Sequence, residues 1–303
     1  MRVVVAATAD VAIPTMQWLK SSNHEFLRTV TTPDSKVGRG KLLKPSAVSE
    51  WSKSNHLKCV KPDSDVEMVE AFSDADLAIA IAYGKILSEK ILNLPRYGFL
   101  NLHFSLLPAY RGAAPVQRAL LNGEKKTGIS IFKIDKNIDT GPLYSQIEYL
   151  IPDESNSEEV LQSLAKIGST AFAEVLTLVE QGVQPTAQSK EGVTWAPKIS
   201  KEEARISWNK SGFEIINAVR AFTPNPGSWT HFRGEVLKIV SVRSARISET
   251  LHPGQIFVEN RKLFVGCKDC ALEILTVLPS GKKEMGTFDW LNGARLVSGE
   301  FFE

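Results

Sequence analysis

The sequence predicts an α/β protein in two parts, an N-terminal unit with a mostly parallel β-sheet followed by a smaller unit of antiparallel strands. In the first half, short apolar runs alternate with longer runs that have the spacing of helices. That alternation is typical of a parallel sheet covered by helices on both faces. After Asn225-Pro226-Gly227 the apolar runs shorten and are separated by Gly, Pro and Asn, which indicates a small antiparallel barrel or sandwich.

The N-terminal elements follow from these runs in order. Strands are predicted at residues 3–7, 26–31, 57–60 and 77–82, and helices at 14–21, 47–55 and 64–72. The turn after the first strand, Ala6-Ala7-Thr8-Ala9-Asp10, lacks the three glycines of a dinucleotide fingerprint. The layout is therefore Rossmann-like, but neither NAD nor FAD is expected. Ligands of such sheets usually bind at the carboxyl ends of the strands, and a further short strand is predicted to begin at Tyr97.

A long amphipathic helix is predicted over residues 158–179, because its apolar residues recur at helical spacing before Gly182 and Pro185. Residues 184–200 have the composition of a linker. Ser200 is predicted to cap a helix, with Glu203 completing a capping box. The strands predicted for the C-terminal unit are residues 229–232, 235–241, 254–258, 262–266 and 271–278.

Composition and charge exclude several classes of protein. The 303 residues carry a formal net charge of +2, so any nucleic-acid binding requires a local basic patch. Three cysteines, Cys59, Cys267 and Cys270, are too few for a disulfide scaffold. The last two have CxxC spacing without a second ligand pair, so we expect them to flank a hairpin turn and expect no metal. The N-terminus resembles a buried strand rather than a signal or membrane segment, and a cytoplasmic location without membrane association is expected.

The candidate chemistry lies in the run from Asn101 to Gly112, NLHFSLLPAYRG, and in Asp139-Thr140-Gly141. Asn101 and His103 are two residues apart on the predicted strand and should point to one face. An amide can donate to an oxyanion, an imidazole can move a proton near neutral pH, and a carboxylate can orient the imidazole. Together they suit the transfer of an acyl group between nitrogen atoms. Taken singly, Asn101 could be a strand-end cap, His103 a structural histidine and Asp139 a turn residue.

A basic loop occupies residues 32–46, which is long for a connection between a strand and a helix. It holds one acidic residue, Asp34, and four basic residues: Lys36, Arg39, Lys41 and Lys44. The loop could be a binding segment or simply a solvated surface loop.

The pattern Asn-x-His-x-Ser-Leu-Leu-Pro-x-Tyr-Arg-Gly, followed by Asp-Thr-Gly, resembles the 10-formyltetrahydrofolate-dependent formyltransferases. The resemblance implies that Asn101, His103 and Asp139 are catalytic and that 10-formyltetrahydrofolate is the formyl donor, with no metal. It also implies that two loops line the folate pocket, and their residues are Ala82, Tyr83, Gly84, Ser105, Leu106, Leu107 and Pro108.

Three segments resemble the branch of this family that formylates methionyl initiator tRNA, namely residues 38–41, 111–118 and 198–208. This implies a C-terminal OB-like barrel and three parts: a catalytic domain (1–187), a linker (188–207) and a tRNA-binding domain (208–303). We expect the protein to be a monomer. The implied tRNA-binding residues are Lys36, Arg39, Lys41, Lys44, Lys198 and Lys201. Ala7-Thr8-Ala9 departs from the Gly-Thr-Pro of the family. A sugar nucleotide or another small amine is the alternative acceptor.

Overall fold

The computed structural model describes residues 1–37, 42–297 and 299–303, and the chain divides into two compact units. The first unit contains Met1–Gly112, Lys126–Leu150 and Leu161–Trp195. The second unit contains Ala113–Lys125, Ile151–Val160 and Ala196–Glu303.

Strands and helices alternate in the N-terminal part of the described chain, whereas consecutive strands predominate after Phe222. The strands are β1 Arg2–Ala7, β2 Glu25–Val30, β3 Ser35–Val37, β4 Leu42–Lys44, β5 Cys59–Val60, β6 Leu77–Ile81, β7 Phe99–His103, β8 Lys126–Lys133, β9 Leu143–Leu150, β10 Ser228–Phe232, β11 Glu235–Ala245, β12 Ile256–Glu259, β13 Lys262–Gly266, β14 Ala271–Pro279 and β15 Met285–Gly286. The helices are α1 Ile13–Ser21, α2 Ala47–Ser54, α3 Asp65–Phe72, α4 Glu89–Leu92, α5 Pro115–Leu121, α6 Ser157–Glu180, α7 Gly212–Phe222 and α8 Thr287–Ala294. No helix in this part of the chain is long and apolar enough to cross a membrane.

The first unit is built on a seven-stranded sheet in the order β5-β2-β1-β6-β7-β8-β9. The first five strands are parallel to one another, and β8 and β9 are antiparallel. Every residue of β6 is buried, as expected for a strand covered on both faces. The predicted mostly parallel sheet is therefore confirmed, with a two-stranded antiparallel edge that the sequence analysis did not assign.

Helix α6 packs on this sheet at a glycine. A Cβ atom added to Gly168 would lie 2.5 Å from Cδ2 of Leu102 on β7, so the missing side chain lets the helix approach the strand. Phe72 of α3 and Phe99 of β7 meet edge to face, with their ring centroids 4.9 Å apart. These contacts fix β7, the strand that carries Asn101 and His103.

The second unit contains an antiparallel sheet in the order β10-β11-β14-β13-β12, with β15 paired to β14. The C-terminal segment connects its two outer strands. The backbone of Glu303 exchanges two hydrogen bonds with His231 of β10, while Ile256 N–H of β12 donates to the Glu300 carbonyl. These contacts give part of each edge strand a backbone partner. The predicted antiparallel C-terminal domain is thus confirmed.

The predicted helix start at Ser200 is wrong. Residues 201–204 form turns, although Glu203 N–H does donate to the Ser200 hydroxyl at 3.1 Å. The return bond of a capping box is missing because the Glu203 carboxylate pairs with Arg118 instead. Helix α7 begins later, after Ser211, where Ser211 and Glu214 form both hydrogen bonds of the box.

Candidate active site

The candidate catalytic residues lie at the carboxyl edge of the parallel strands of the first unit. Asn101 and His103 occupy alternate positions of β7, which pairs with β6 on one side and β8 on the other. They therefore share one face of the sheet, as the sequence predicts. Asn101 is partly buried and His103 is only 6 % exposed. Asp139 comes from the turn between β8 and β9.

The hydrogen bonds of His103 define which ring nitrogen can act. Its Nε2 lies 2.9 Å from the carbonyl oxygen of Tyr110. Because a carbonyl only accepts, Nε2 carries a proton, and in the neutral ring Nδ1 is left unprotonated. Nδ1 faces Oδ2 of Asp139 at 3.7 Å. This nitrogen is therefore available to accept a proton beside a carboxylate that can stabilise the resulting imidazolium.

Burial lowers the pKa of His103 from its ordinary value, because the buried ring loses hydration that favours its charged form. The Asp139 carboxylate and the Tyr110 carbonyl act in the opposite direction and partly offset this lowering of the pKa. A lowered pKa keeps the imidazole neutral near pH 7, which is the state that a general base needs.

Asp139 is held in a turn with left-handed backbone geometry, at a φ of 52°. Its Oδ2 accepts a hydrogen bond of 2.8 Å from the N–H of Gly112. The next residue, Thr140, donates to the carboxylate of Asp135 at 2.7 Å. The structure thus brings the predicted Asn101, His103 and Asp139 to one edge of the sheet, with Nδ1 of His103 3.7 Å from Oδ2 of Asp139.

Gln188 and Arg111 support this turn, and the sequence analysis did not single out Gln188. The side-chain amide of Gln188 donates to the carbonyls of Asp139 (2.9 Å) and Gly141 (2.8 Å). Its oxygen accepts from Arg111 Nη2 at 2.6 Å. Gln188 lies 49 residues from Asp139 along the chain, inside the segment predicted as linker, so no local pattern could have connected them.

The loop predicted to contact folate at residues 105–108 is organised by internal hydrogen bonds. The Ser105 side chain is fully buried and donates to the Ala109 carbonyl at 2.6 Å. Ser130 Oγ donates to the Ser105 carbonyl and accepts from Leu107 N–H. Leu107 is buried, while Leu106 and Pro108 are partly exposed. Leu106 and Pro108 are therefore the residues of this loop whose side chains reach the surface.

The second predicted folate loop, residues 82–84, follows β6. Ala82 and Gly84 are exposed, but the Tyr83 ring is buried and its hydroxyl donates to the Met68 sulfur at 3.6 Å. Burial raises the pKa of Tyr83 to about 12. The Thr8 hydroxyl donates to the Tyr83 carbonyl at 3.0 Å, which ties the atypical first loop to this one. Backbone atoms and small side chains are what this loop offers a ligand.

The predicted tRNA-binding residues are described only in part. Arg39 and Lys41 lie outside the described residues, and β3 contains Lys36, paired with Leu43 of β4. Lys44 is exposed at the end of β4. In the second unit, Lys198 and Lys201 are exposed, and the Lys201 carbonyl accepts from the Trp229 indole at 2.8 Å.

One cluster among the described residues has the ligand atoms of a metal site: Cys267, Asp269 and Cys270 lie within 4.8 Å of one another. It occupies the turn between β13 and β14, as predicted for these cysteines. Oδ1 of Asp269 already accepts the N–H of Gly212 at 2.8 Å. Burial, with the neighbouring thiol and carboxylate, raises the pKa of Cys270 to about 12. These features indicate an uncharged Cys270 thiol in a hairpin turn that contacts the first turn of α7.

Comparisons with known proteins show which family the chain matches. The family model described as formyl transferase matches residues 1–176, and that of the formyl transferase C-terminal domain matches residues 198–295. The chain is 37 % identical over 307 residues to the methionyl-tRNA formyltransferase of Thermobifida fusca, covering 100 % of this chain and 99 % of that protein.

Solved structures with lower identity share the fold. HypX from Aquifex aeolicus, solved in complex with tetrahydrofolic acid, aligns with a TM-score of 0.68 at 16 % identity, over 99 % of this chain and 48 % of that one. WlaRD, a sugar 3N-formyl transferase, aligns with a TM-score of 0.67 at 17 % identity, over 93 % of this chain and 99 % of that one.

Proposed function

The chain belongs to the formyl transferase family, and from this premise we propose that it transfers the formyl group of 10-formyltetrahydrofolate to the α-amino group of methionyl initiator tRNA. The observation that carries the proposal is the full-length match at 37 % identity to a methionyl-tRNA formyltransferase. The likeness to a sugar formyltransferase is much weaker in sequence, at 17 % identity. The tRNA acceptor is therefore favoured over a sugar nucleotide.

In the proposed reaction, the α-amino nitrogen attacks the formyl carbon and a tetrahedral intermediate forms. The Asn101 amide donates to the oxygen that becomes negatively charged. Nδ1 of His103 accepts the proton lost by the attacking nitrogen, and Asp139 stabilises the imidazolium. The intermediate collapses when the bond to N10 of the folate breaks. The His103 imidazolium gives its proton to that nitrogen, and tetrahydrofolate leaves. The reaction needs no covalent enzyme intermediate.

Substrate binding is assigned to segments outside the Asn-His-Asp set. We assign the folate to the loops at residues 82–84 and 105–108, and the tRNA to the basic loop and the C-terminal domain. Lys44, Lys198 and Lys201 are exposed, which suits contact with phosphates. Domain boundaries at 1–187, 188–207 and 208–303, a monomeric state and a cytoplasmic location are parts of the same proposal.

Formyl transfer to two purified tRNAs tests the proposal. The protein is mixed with 10-formyltetrahydrofolate and either methionyl initiator tRNA or methionyl elongator tRNA, and the formylated methionine is quantified. We expect transfer to the initiator and little to the elongator. Transfer to neither tRNA, but to an amino-sugar nucleotide, would replace the acceptor while keeping the chemistry.

A further inference from the structure

The Gln188 side chain connects the turn that carries Asp139 to the loop that carries Arg111. Its amide nitrogen donates to two carbonyls, those of Asp139 and Gly141, at 2.9 and 2.8 Å. Both available N–H bonds of the amide are used in this way. The amide thus holds the two backbone positions on either side of Thr140.

Arg111 fixes the orientation of that amide. A guanidinium only donates, so the atom that Nη2 contacts at 2.6 Å must be the oxygen of Gln188. The amide nitrogen then necessarily points to the turn. Arg111 is itself anchored, because its backbone N–H donates to the Thr194 carbonyl at 2.9 Å. Its Nε is buried without a hydrogen-bond partner among the described residues.

The same loop contacts the carboxylate directly. Gly112, next to Arg111, donates its N–H to Oδ2 of Asp139, the oxygen that faces His103. The turn itself lies close to β8, since a Cβ added to Gly141 would clash with the Lys133 carbonyl oxygen. Asp139 also has a positive φ, which the surrounding contacts must maintain.

We propose that Gln188, oriented by Arg111, is a positioning residue that holds the Asp139–Gly141 turn so that the Asp139 carboxylate faces Nδ1 of His103. The kinetic consequences of the proposal rest on the proposed function, because Gln188 would act on the reaction through Asp139. The geometric claim can be measured separately.

Two substitutions separate this role from simple anchoring of the segment. Gln188→Ala removes the two hydrogen bonds to the turn and also the acceptor for Arg111. Gln188→Glu keeps an acceptor for Arg111 but replaces the donor to the turn with an oxygen that repels the two carbonyls. We expect kcat to fall roughly 10- to 100-fold in both variants, because small displacements at a reacting centre have effects of that size. KM for the tRNA and the folate should change little.

Gln184→Ala is the matched control, since Gln184 is an exposed glutamine of the same segment whose amide donates to the nearby Gly182 carbonyl. It should retain wild-type kcat. If Gln188→Glu restores wild-type kcat, the residue only anchors Arg111, and the positioning role is wrong. Unchanged kcat in Gln188→Ala would overturn the proposal as well.

A second readout does not depend on catalysis. The ring titration of His103 is followed by NMR, with its signal identified by its loss in His103→Gln. The Asp139 carboxylate and the Tyr110 carbonyl are the groups that raise the pKa of this ring, so displacement of Asp139 should lower the pKa in Gln188→Ala but not in Gln184→Ala. A lowered pKa in a protein that formylates no tRNA would keep the positioning role and reject the proposed function. An unchanged pKa would reject the positioning role.

Discussion

At the scale of single residues, His103 carries the most specific expectation. The ring is buried, its Nε2 is occupied by the Tyr110 carbonyl, and its Nδ1 faces Asp139. We expect His103→Ala to lower kcat by two to four orders of magnitude, roughly the contribution of a general base. The dissociation constant for methionyl initiator tRNA, measured by filter binding, should remain within about threefold of wild type because the ring is buried. Equal losses of turnover and binding would mean that His103 is a structural residue.

Asp139→Asn tests the electrostatic part of the pair. The carboxylate raises the pKa of His103, so its removal should lower that pKa below the already reduced value. If neutral His103 is the base, kcat rises with pH through this pKa. The acidic limb of the pH–rate profile should therefore move to lower pH in the variant, while the plateau falls because the imidazolium loses its partner. A limb that stays in place would argue against coupling between the two groups.

The site was only partly predictable from sequence, for a physical reason. Asn101 and His103 share a strand, and a strand places alternate residues on one face, so their proximity follows from two positions of spacing. The contact of Asp139 with Gly112 and Gln188 depends on how β8, β9 and the segment after α6 return to the same edge. No periodicity encodes that return. The contact of the Tyr83 hydroxyl with Met68, 15 residues away along the chain, was hidden for the same reason.

At the scale of elements, a matched pair of helical glycines tests the packing of α6. A Cβ added to Gly168 would lie 2.5 Å from Leu102, whereas Gly293 of α8 has nothing within 4 Å. Gly168→Ala should lower the free energy of unfolding by about 1–3 kcal/mol, since overpacking outweighs the gain in helix propensity. Gly293→Ala should raise it by about 0.5–1 kcal/mol. Denaturant unfolding measures both, and stabilisation by Gly168→Ala would show that α6 can shift away from β7.

The predicted strands and helices were confirmed where the sequence carried a strong local signal, such as an apolar run or an N-cap serine. Strand β6 is apolar throughout, and the N-caps Ser46 and Ser64 accept backbone N–H groups at the starts of α2 and α3. Strand β8 was missed because Gly128 and Ser130 interrupt its apolar run. In the sheet Gly128 is required, since a Cβ there would clash with the Ile147 carbonyl oxygen and lie 2.5 Å from Leu106. The helix at Ser200 failed because a distant residue, Arg118, takes the carboxylate that its cap needs.

At the scale of the whole molecule, charge decides how the chain meets a polyanion. The formal net charge is only +2, so long-range attraction to tRNA is weak and affinity must come from particular lysines and arginines. The proposed contacts therefore divide into two kinds. Phosphate contacts contribute affinity that depends on salt, and contacts by the basic loop near the acceptor end contribute discrimination between tRNAs.

Arg39 lies in the basic loop and is therefore proposed to contribute discrimination between tRNAs. Arg39→Ala should reduce the preference for initiator over elongator methionyl-tRNA, measured as the ratio of kcat/KM for the two substrates, more than it reduces overall binding. Lys20→Ala is a control elsewhere on the first unit, since Lys20 donates to the Asn55 side chain, outside the basic loop, and is not assigned to tRNA. An unchanged preference in Arg39→Ala would remove the basic loop from recognition.

Lys198 and Lys201 are proposed to contact phosphates, and the salt dependence of tRNA binding tests this assignment. Each phosphate contact releases about one counterion, so each substitution to alanine should reduce the slope of log K against log salt by about 1. Lys125→Ala is the control, because Lys125 is equally exposed but pairs with Asp153 and is not assigned to tRNA. Its slope should match wild type. A uniform change across all three variants would mean that only total charge matters. A loss confined to Lys198 and Lys201 would show that a nearly neutral protein holds its tRNA through a few placed cations.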